Sequence, residues 1–162
     1  LLDKHMEIRD LRVSDSSSIW EVNEQGLPGT GKVSENEIIA LLEFSSLSIG
    51  AYDNDNLLGF VICLPPATKY GSLNYAWFND RYDRFLYVDR IAVSFDSRNQ
   101  KIGSKLYQAV IDESVKQSVP IAAEVNLRPP NLDSIRFHKR HGFSEVGEFT
   151  HGEKSVLMML RE

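Results

Sequence analysis

The chain has 162 residues, of which 42% are hydrophobic and 25% charged, a size and composition typical of one globular domain and not of a disordered chain. Its formal net charge of -5 disfavours a nucleic-acid-binding surface and permits attraction of a cationic small substrate. The one cysteine, Cys63, lies in the apolar run LLGFVICL. It forms no internal disulfide and is expected to be a buried structural thiol in a reducing compartment.

No apolar run approaches the roughly 18–20 residues of a membrane span, and the N-terminal segment lacks the apolar core of a signal peptide. We therefore predict a cytoplasmic protein that does not associate with membranes. Met6 is a candidate native start, so residues 1–5 (LLDKH) are interpreted as an addition from expression and are given no structural role. Residues 6–162 are predicted to form a single domain.

From Met6, MEIRDLRV predicts a strand, and SDSSSIWEVNEQ predicts a helix with Ser14 or Asp15 as its N-cap. The next helix is predicted in SENEIIALLEF, where Ser34 and Glu37 have the spacing of a capping box. The glycine-rich piece between them, GLPGTGKV, is predicted to be a loop. Its ending does not match the GK[ST] of a nucleotide-binding loop, so nucleotide binding there is rejected.

The segments LSIGAY and LLGFVICL flank the polar tetrapeptide DNDN, which predicts a β-hairpin. Residues 68–84 are predicted to be a long ordered loop. Five aromatic residues lie in this loop: Tyr70, Tyr75, Trp77, Phe78 and Tyr82. They either form a cage for a cation, form an apolar pocket, or pack in the core.

In the second half, FLYVDRIAV predicts a strand and IGSKLYQAVIDESVKQ an amphipathic helix. A further strand is predicted in IAAEVN, a turn in LRPPN, and a short helix in LDSIRFHKRH that ends at Gly142. FSEVGEF and KSVLMML complete the pattern as two strands. The order of elements predicts an α+β domain with a mixed, mostly antiparallel sheet around a central strand–helix–strand unit.

The stretch RNQKIGSKLY, Arg98 to Tyr107, lies where a predicted strand turns into a predicted helix. The first turn of a helix has free backbone N–H groups that a phosphate can occupy. Ordinary helix capping is the alternative interpretation of the same residues. After the next predicted strand, a second segment contains Asn131, Ser134, Phe137, His138, Gly142 and Phe143.

Together these segments resemble the GCN5-related N-acetyltransferase superfamily. In the family's phosphate-binding motif, Arg98 and Gly103 stand at matching positions, and Lys101 replaces a usual glycine. Helical backbone angles are expected at Lys101, where a lysine is tolerated. The resemblance implies a GNAT-like fold and acetyl-CoA as cosubstrate.

The resemblance also implies which residues bind acetyl-CoA. The backbone of the central strand is expected to pair with the pantetheine arm, admitted by a splay from the strand at 121–126, and the helix start is expected to hold the pyrophosphate. Asn131 and Ser134 are expected beside the arm, and Asn126 either bonds the arm or caps its loop. Besides Asn131 and Ser134, the predicted cofactor contacts are Ile91, Ala92, Val93, Arg98, Asn99, Gln100, Lys101, Ile102, Gly103 and Ser104.

Two residues are candidates for proton transfer. Asp89 in the central strand is the candidate base for the attacking amine, and strand alternation places it on the face of Tyr87, Ile91 and Val93. An ion pair is the alternative role for Asp89, and Asp83 is a second candidate base. His138 occupies the position of the family's tyrosine acid, so it either protonates the leaving thiolate or packs against the cofactor.

The sequence therefore predicts an acetyl-CoA-dependent N-acetyltransferase that acts on a small-molecule amine or an amino-terminal group. The alternative is a non-catalytic acyl-CoA-binding module of the same fold, suggested by the departures at Lys101 and His138. The acceptor pocket is expected between residues 26–33 and 69–84. No metal site or nucleic-acid partner is predicted, and a homodimer is allowed for.

Overall fold

The computed structural model describes residues 6–162, and the prediction for residues 1–5 lies outside this range. The strands are β1 (Met6–Asp10), β2 (Leu47–Asp53), β3 (Asn56–Leu64), β4 (Leu86–Val93), β5 (Ile121–Asn126), β6 (Ser144–His151) and β7 (Lys154–Arg161). The α-helices are α1 (Ser16–Gln25), α2 (Glu35–Phe44), α3 (Leu73–Asn79), α4 (Ile102–Gln117) and α5 (Leu132–Arg140). Among residues 6–162, no helix is long and apolar enough to cross a membrane.

The seven strands form one sheet in the order β1-β2-β3-β4-β5-β7-β6. β4 and β5 pair in parallel, while the other neighbours are antiparallel. The parallel pair is connected through α4, the crossover helix that such a pair requires. The predicted α+β domain with a mixed, mostly antiparallel sheet is confirmed.

Two local features predicted from the sequence, the capping box of α2 and the β2–β3 hairpin, are present in the structure. The Ser34 hydroxyl accepts a hydrogen bond from the Glu37 N–H at 3.1 Å, and the Glu37 carboxylate accepts one from the Ser34 N–H, also at 3.1 Å. The predicted capping box is thereby confirmed at the start of α2. Asn54, in the two-residue turn between β2 and β3, has φ of 55°, the left-handed conformation that asparagine adopts more readily than most residues. This turn closes the predicted hairpin.

The predicted long loop at 68–84 is wrong in its middle, because α3 forms there. The Ser72 hydroxyl accepts a hydrogen bond from the Tyr75 N–H at 3.2 Å and caps the helix. Tyr75, Trp77 and Phe78 are buried. A helix of seven residues is not stable by itself in water, so the burial of these rings in the core stabilises it. Packing is thus the role of most of the predicted aromatic cluster.

Each face of the sheet has its own core. One face packs against α1, α2 and α3, with Ile19, Ile38 and Phe78 fully buried. The other face packs against α4, with Leu106 fully buried, and contains Cys63. Cys63 is buried, as predicted, and burial raises the pKa of its thiol, which disfavours the nucleophilic thiolate.

β4 and β5 separate soon after they begin. Their pairing is limited to Leu86 with Ile121 and Tyr87 with Ala122, although each strand continues beyond these residues. The remaining edge of β4 therefore faces a gap in the sheet. This gap is the predicted splay, and it positions the site described below.

A bulge in β4 contradicts one sequence prediction. The pairing with β3 passes from Val88 to Arg90 and skips Asp89. An extra residue of this kind shifts the alternation of side chains beyond it. Tyr87 accordingly packs on the α1–α3 face, whereas Ile91 packs on the α4 face. The prediction that alternation places Asp89, Tyr87 and Ile91 on one face is wrong.

Candidate active site

A cleft of about 510 Å³ opens at the gap between β4 and β5. The loop after α1, the segment leading into α3, the two strands and α5 all line it. The structure brings five of the predicted site residues together in this cleft: Asp89, Ile91, Asn131, Ser134 and His138. The predicted phosphate-binding residues lie at the start of α4, outside the cleft lining.

The loop before α4 has an unusual backbone. Asn99 has φ of 66°, and Lys101, the N-cap position of α4, has φ of 61° and ψ of 23°. The helical angles expected at Lys101 are therefore wrong, and the residue is left-handed. A glycine adopts this conformation without steric cost. Left-handed residues beside helical ones turn successive N–H groups toward one concave surface that suits an anion.

The start of α4 leaves room for a ligand. The N-cap residue, Lys101, makes no side-chain capping hydrogen bond, so the first N–H groups of the helix keep their capacity to bind an anion. A Cβ added at Gly103 would meet only the Phe137 ring, at 3.8 Å. Packing within the described residues does not require a glycine there, and its lack of a side chain leaves space beside the first turn of α4.

Arg98, which precedes this loop, contacts the end of α1 and the Phe95 ring. Its Nη2 donates to the Gln25 carbonyl at 2.7 Å, and its guanidinium lies 4.2 Å from the centre of the Phe95 ring. The Gln25 side chain in turn accepts from the Phe95 N–H at 2.7 Å. These contacts connect the end of α1 to the segment that leads into the loop before α4.

Beyond Tyr87, the edge of β4 that faces β5 pairs with no strand of the described chain. Ile91 and Val93 pair with Val61 and Gly59 of β3, and β5 no longer pairs with them on the other side. Ala92 is buried, so backbone groups are what this edge offers. An extended arm can add to such an edge by backbone hydrogen bonds.

The two asparagines near α5 stabilise its connection to β5. The Asn131 Oδ1 accepts from the Ser134 N–H at 3.2 Å and caps α5. The Asn126 carbonyl accepts from the Asn131 N–H at 3.0 Å, and the Asn126 amide donates to the Pro28 carbonyl at 3.5 Å. Both residues line the cleft, so these contacts fix one wall of the site.

Asp89 forms an ion pair with its neighbour Arg90. The Arg90 Nε lies 2.7 Å from Asp89 Oδ2, and both side chains are buried. Arg90 Nη1 also donates to Asn23 Oδ1 at 3.2 Å and to the Gly31 carbonyl at 3.0 Å. Tyr70 hydrogen bonds to the pair, and its burial raises the pKa of the phenol. The pair thereby attaches the loop after α1 to β4.

The sequence does not single out Glu124, the carboxylate with the most perturbed environment in the cleft. Glu124 Oε1 accepts from the Tyr87 hydroxyl at 2.7 Å and from the Asn74 amide at 3.3 Å. Oε2 is buried and has no hydrogen-bond partner within the described chain. Burial raises the pKa of Glu124 to about 7, and the charge of Asp89 adds to the shift.

A sequence signal for Glu124 did exist. It is the one charged residue in the predicted strand IAAEVN, and an ionisable group inside an apolar strand marks a functional candidate. The signal was weak because its partners, Asn74 and Tyr87, come from distant segments.

His138 pairs with a residue that the sequence does not single out, Tyr107 of α4. His138 Nδ1 lies 2.7 Å from the Ser134 carbonyl and so donates to it, while Nε2 lies 2.6 Å from the Tyr107 hydroxyl. Burial lowers the pKa of His138, which favours the neutral ring. The neutral tautomer therefore has its proton on Nδ1, and Nε2 accepts from Tyr107.

Comparisons with known proteins agree with this architecture. The model of the acetyltransferase (GNAT) family matches residues 5–143. The ribosomal-protein-S18-alanine N-acetyltransferase from Escherichia coli is 20% identical, with a TM-score of 0.74 over 96% of this chain and 92% of that one. Naa50 from Arabidopsis thaliana, in complex with the bisubstrate analogue CoA-Ac-MVNAL, is 18% identical, with a TM-score of 0.73 over 98% and 99%. Ard1 from Thermoplasma volcanium is 19% identical, with a TM-score of 0.74 over 97% of each chain. No curated protein matches the sequence.

Proposed function

The chain belongs to the acetyltransferase (GNAT) family, and from that premise we propose how its cleft transfers an acetyl group from acetyl-CoA to an amine. The observation that carries the proposal is Glu124, whose buried Oε2 has no protein partner within residues 6–162 and which lines the cleft beside the gap in the sheet. We propose that the loop before α4 binds the cofactor and that the free edge of β4 orients it. The Glu124 carboxylate is the base that amine acetylation also needs.

The residues present fit acetyl-CoA. The N–H groups of residues 99–104 would hold the pyrophosphate at the uncapped start of α4. The backbone of Ile91, Ala92 and Val93 would hold the extended arm, with Asn131 and Ser134 along its path. When bound, acetyl-CoA supplies an acetyl group activated as a thioester.

We propose Glu124 as the base, in place of the predicted Asp89. An amine attacks only when neutral, and its proton must leave to an acceptor within hydrogen-bond reach or through one water. A base with a pKa of about 7 suits this transfer near neutral pH. The charge of Asp89 is already compensated by Arg90 at 2.7 Å. Asp89 also lines the cleft, so its role in binding the amine stays a prediction.

We propose that His138 positions Tyr107 and does not act as the acid. Its one proton in the neutral form is directed to the Ser134 carbonyl, so the resting arrangement gives it no proton for a leaving thiolate. His138→Phe should lower turnover by less than about tenfold, against the roughly 10²–10⁴-fold contribution of general acid catalysis. The double variant with Tyr107→Phe removes the unpaired buried hydroxyl and serves as the stability control. A loss of 100-fold or more in both variants would favour the acid role.

We propose that the acceptor is an amino-terminal group or a small-molecule amine. The similar folds include an enzyme named for the alanine of ribosomal protein S18 and one bound to a peptide-like analogue, and this likeness supports an acceptor of that kind. The one buried cysteine supports a reducing compartment such as the cytoplasm. The homodimer stays a prediction.

Thiol release from acetyl-CoA across a panel of peptides and small amines tests this function. We expect acceptor-dependent release of CoA, with the acetylated amine detected by mass spectrometry. CoA affinity without acceptor-dependent release would favour the alternative, a non-catalytic acyl-CoA-binding module. Glu124→Gln provides the control for release by simple hydrolysis, because it keeps the shape of the side chain and removes the base.

A further inference from the structure

The charges around the cleft are not those expected from the composition. The whole chain has a net charge of -5, which suggested attraction of a cationic substrate. In the cleft, however, Arg90 compensates the charge of Asp89 at 2.7 Å, and Glu124 is the other acidic residue of the lining. The lining also includes two more cations, Arg128 and Lys154. Apart from Glu124 and the Asp89–Arg90 pair, the charged residues that line the cleft are therefore both cations.

The two cations lie at one end of the cleft. Glu124 of β5 pairs with Met158 of β7, and Asn126 pairs with Val156. Lys154 begins β7, four residues before Met158, and alternate residues of a strand share a face. At about 3.3 Å per residue, the backbone at Lys154 is roughly 13 Å from the level of Glu124. The flexible stem of a lysine allows its charge to reach closer.

Within the described residues, neither cation is paired with an acidic side chain. Arg128 donates through Nε and Nη2 to the Ser155 hydroxyl, at 3.1 and 2.7 Å. These bonds hold the guanidinium at the rim and leave further donors of its fork for a ligand. Lys154 is exposed. Within residues 6–162, neither Arg128 nor Lys154 forms an ion pair.

We propose that the acceptor is an amine that also carries a carboxylate several bonds away, with the amine at Glu124 and the carboxylate at Arg128 and Lys154. This inference rests on the proposed acetyl transfer. Separated charges of opposite sign in the cleft match an acceptor with the reverse arrangement, which orients it and disfavours amines that lack the anion. The carboxylate comes either from an acidic side chain near a peptide's amino terminus or from a small amino acid.

Matched acceptors test this inference. In one arm, tetrapeptides with a free amino terminus differ only by Glu or Gln at the second, third or fourth position. In the other, 5-aminopentanoate is compared with pentylamine. We expect kcat/KM to favour the acidic member of at least one pair by about fivefold or more at low salt, and the preference to shrink as salt is added. The arm that shows the preference identifies the source of the carboxylate.

Lys154→Glu and Arg128→Gln should remove the preference and leave the KM for acetyl-CoA unchanged. Lys116→Glu is the matched control, because Lys116 is exposed in the last turn of α4 and its replacement changes the net charge by the same amount as Lys154→Glu. The control should keep the preference.

Three results would overturn the inference. One is turnover of the neutral acceptors that equals or exceeds that of the acidic ones in every pair. Another is a Lys154→Glu effect on the KM for acetyl-CoA with the acceptor preference intact, which would assign the two cations to the cofactor. The third is wild-type protein that acetylates other amines but turns over no acceptor in either arm. Wild-type protein that turns over no amine at all would instead overturn the proposed acetyl transfer.

Discussion

The candidate site has a proposed cofactor half and a proposed acceptor half, which are built from different chemical groups. The cofactor half, residues 91–104 with the start of α5, consists mainly of backbone: an unpaired strand edge and an uncapped helix start. The acceptor half, residues 26–31 and 70–74 with Glu124, consists of side chains from distant segments that meet in buried contacts. The first half is encoded in short contiguous motifs. The second half exists only after the chain has folded.

The sharpest test of this comparison is Glu124→Gln. We expect acceptor-dependent turnover to fall by at least about 100-fold, because the base is lost, while calorimetry shows unchanged acetyl-CoA affinity. In the wild type, kcat/KM should rise as pH increases through about 7, the pKa of Glu124. Glu148→Gln, an exposed change in β6, is the matched control. If the Glu124→Gln variant kept more than about a third of the wild-type turnover, Glu124 would have no part in the mechanism.

A buried ion pair in the acceptor half should be costly to break. Asp89→Asn leaves Arg90 buried without its counter-charge, so we expect the free energy of unfolding to fall by about 3–5 kcal/mol. Asp83→Asn, at an exposed position, should change it by less than about 0.5 kcal/mol. Urea unfolding measures both. If amine binding also depends on Asp89, turnover of the folded variant falls and recovers partly at higher pH; equal stability of the two variants would contradict the structural role.

The pKa of Glu124 makes a separate prediction for stability. Its folded-state pKa is raised from 4.5 to about 7, so the native state binds this proton more tightly than the unfolded state does. The wild type should therefore lose up to about 3 kcal/mol of stability as pH rises from about 4.5 to about 7. A glutamine does not titrate.

Glu124→Gln should consequently gain stability relative to the wild type between pH 5 and pH 8, in urea unfolding experiments at both pH values. A stability difference between the two proteins that is the same at pH 5 and pH 8 would show that the carboxyl is not perturbed. We expect the folded protein to lose stability when Glu124 ionises, because the buried position that raises its pKa for catalysis disfavours the charged form.

The smallest expected effect concerns the cofactor half. Gly103→Val should weaken CoA binding by about tenfold or more, because its side chain fills the space beside the first turn of α4, whereas Lys101→Gly should change affinity little. The Lys101 change keeps the N–H group and removes a left-handed lysine, a conformation that costs about 1–2 kcal/mol. Calorimetry ranks the two variants, with circular dichroism to confirm folding. The opposite ranking would place the phosphate site elsewhere.

The sequence predicts the features that depend on near neighbours in the chain. The capping box at Ser34 and Glu37, the β2–β3 hairpin and the strand–helix unit with Arg98 and Gly103 all follow from residues a few positions apart. Local backbone geometry governs these features, so local patterns are enough to find them. The mixed sheet follows from their order along the chain.

Tertiary structure alone decided the chemistry of the acceptor half. The raised pKa of Glu124 comes from burial beneath α3, where it contacts Asn74 and Tyr87, which lie 50 and 37 residues away. The tautomer of His138 depends on Tyr107, 31 residues away in another helix. The bulge at Asp89 depends on the register with β3. A pKa, a tautomer and a bulge are set by the dielectric and the partners around a group, and these come from segments that only folding brings together.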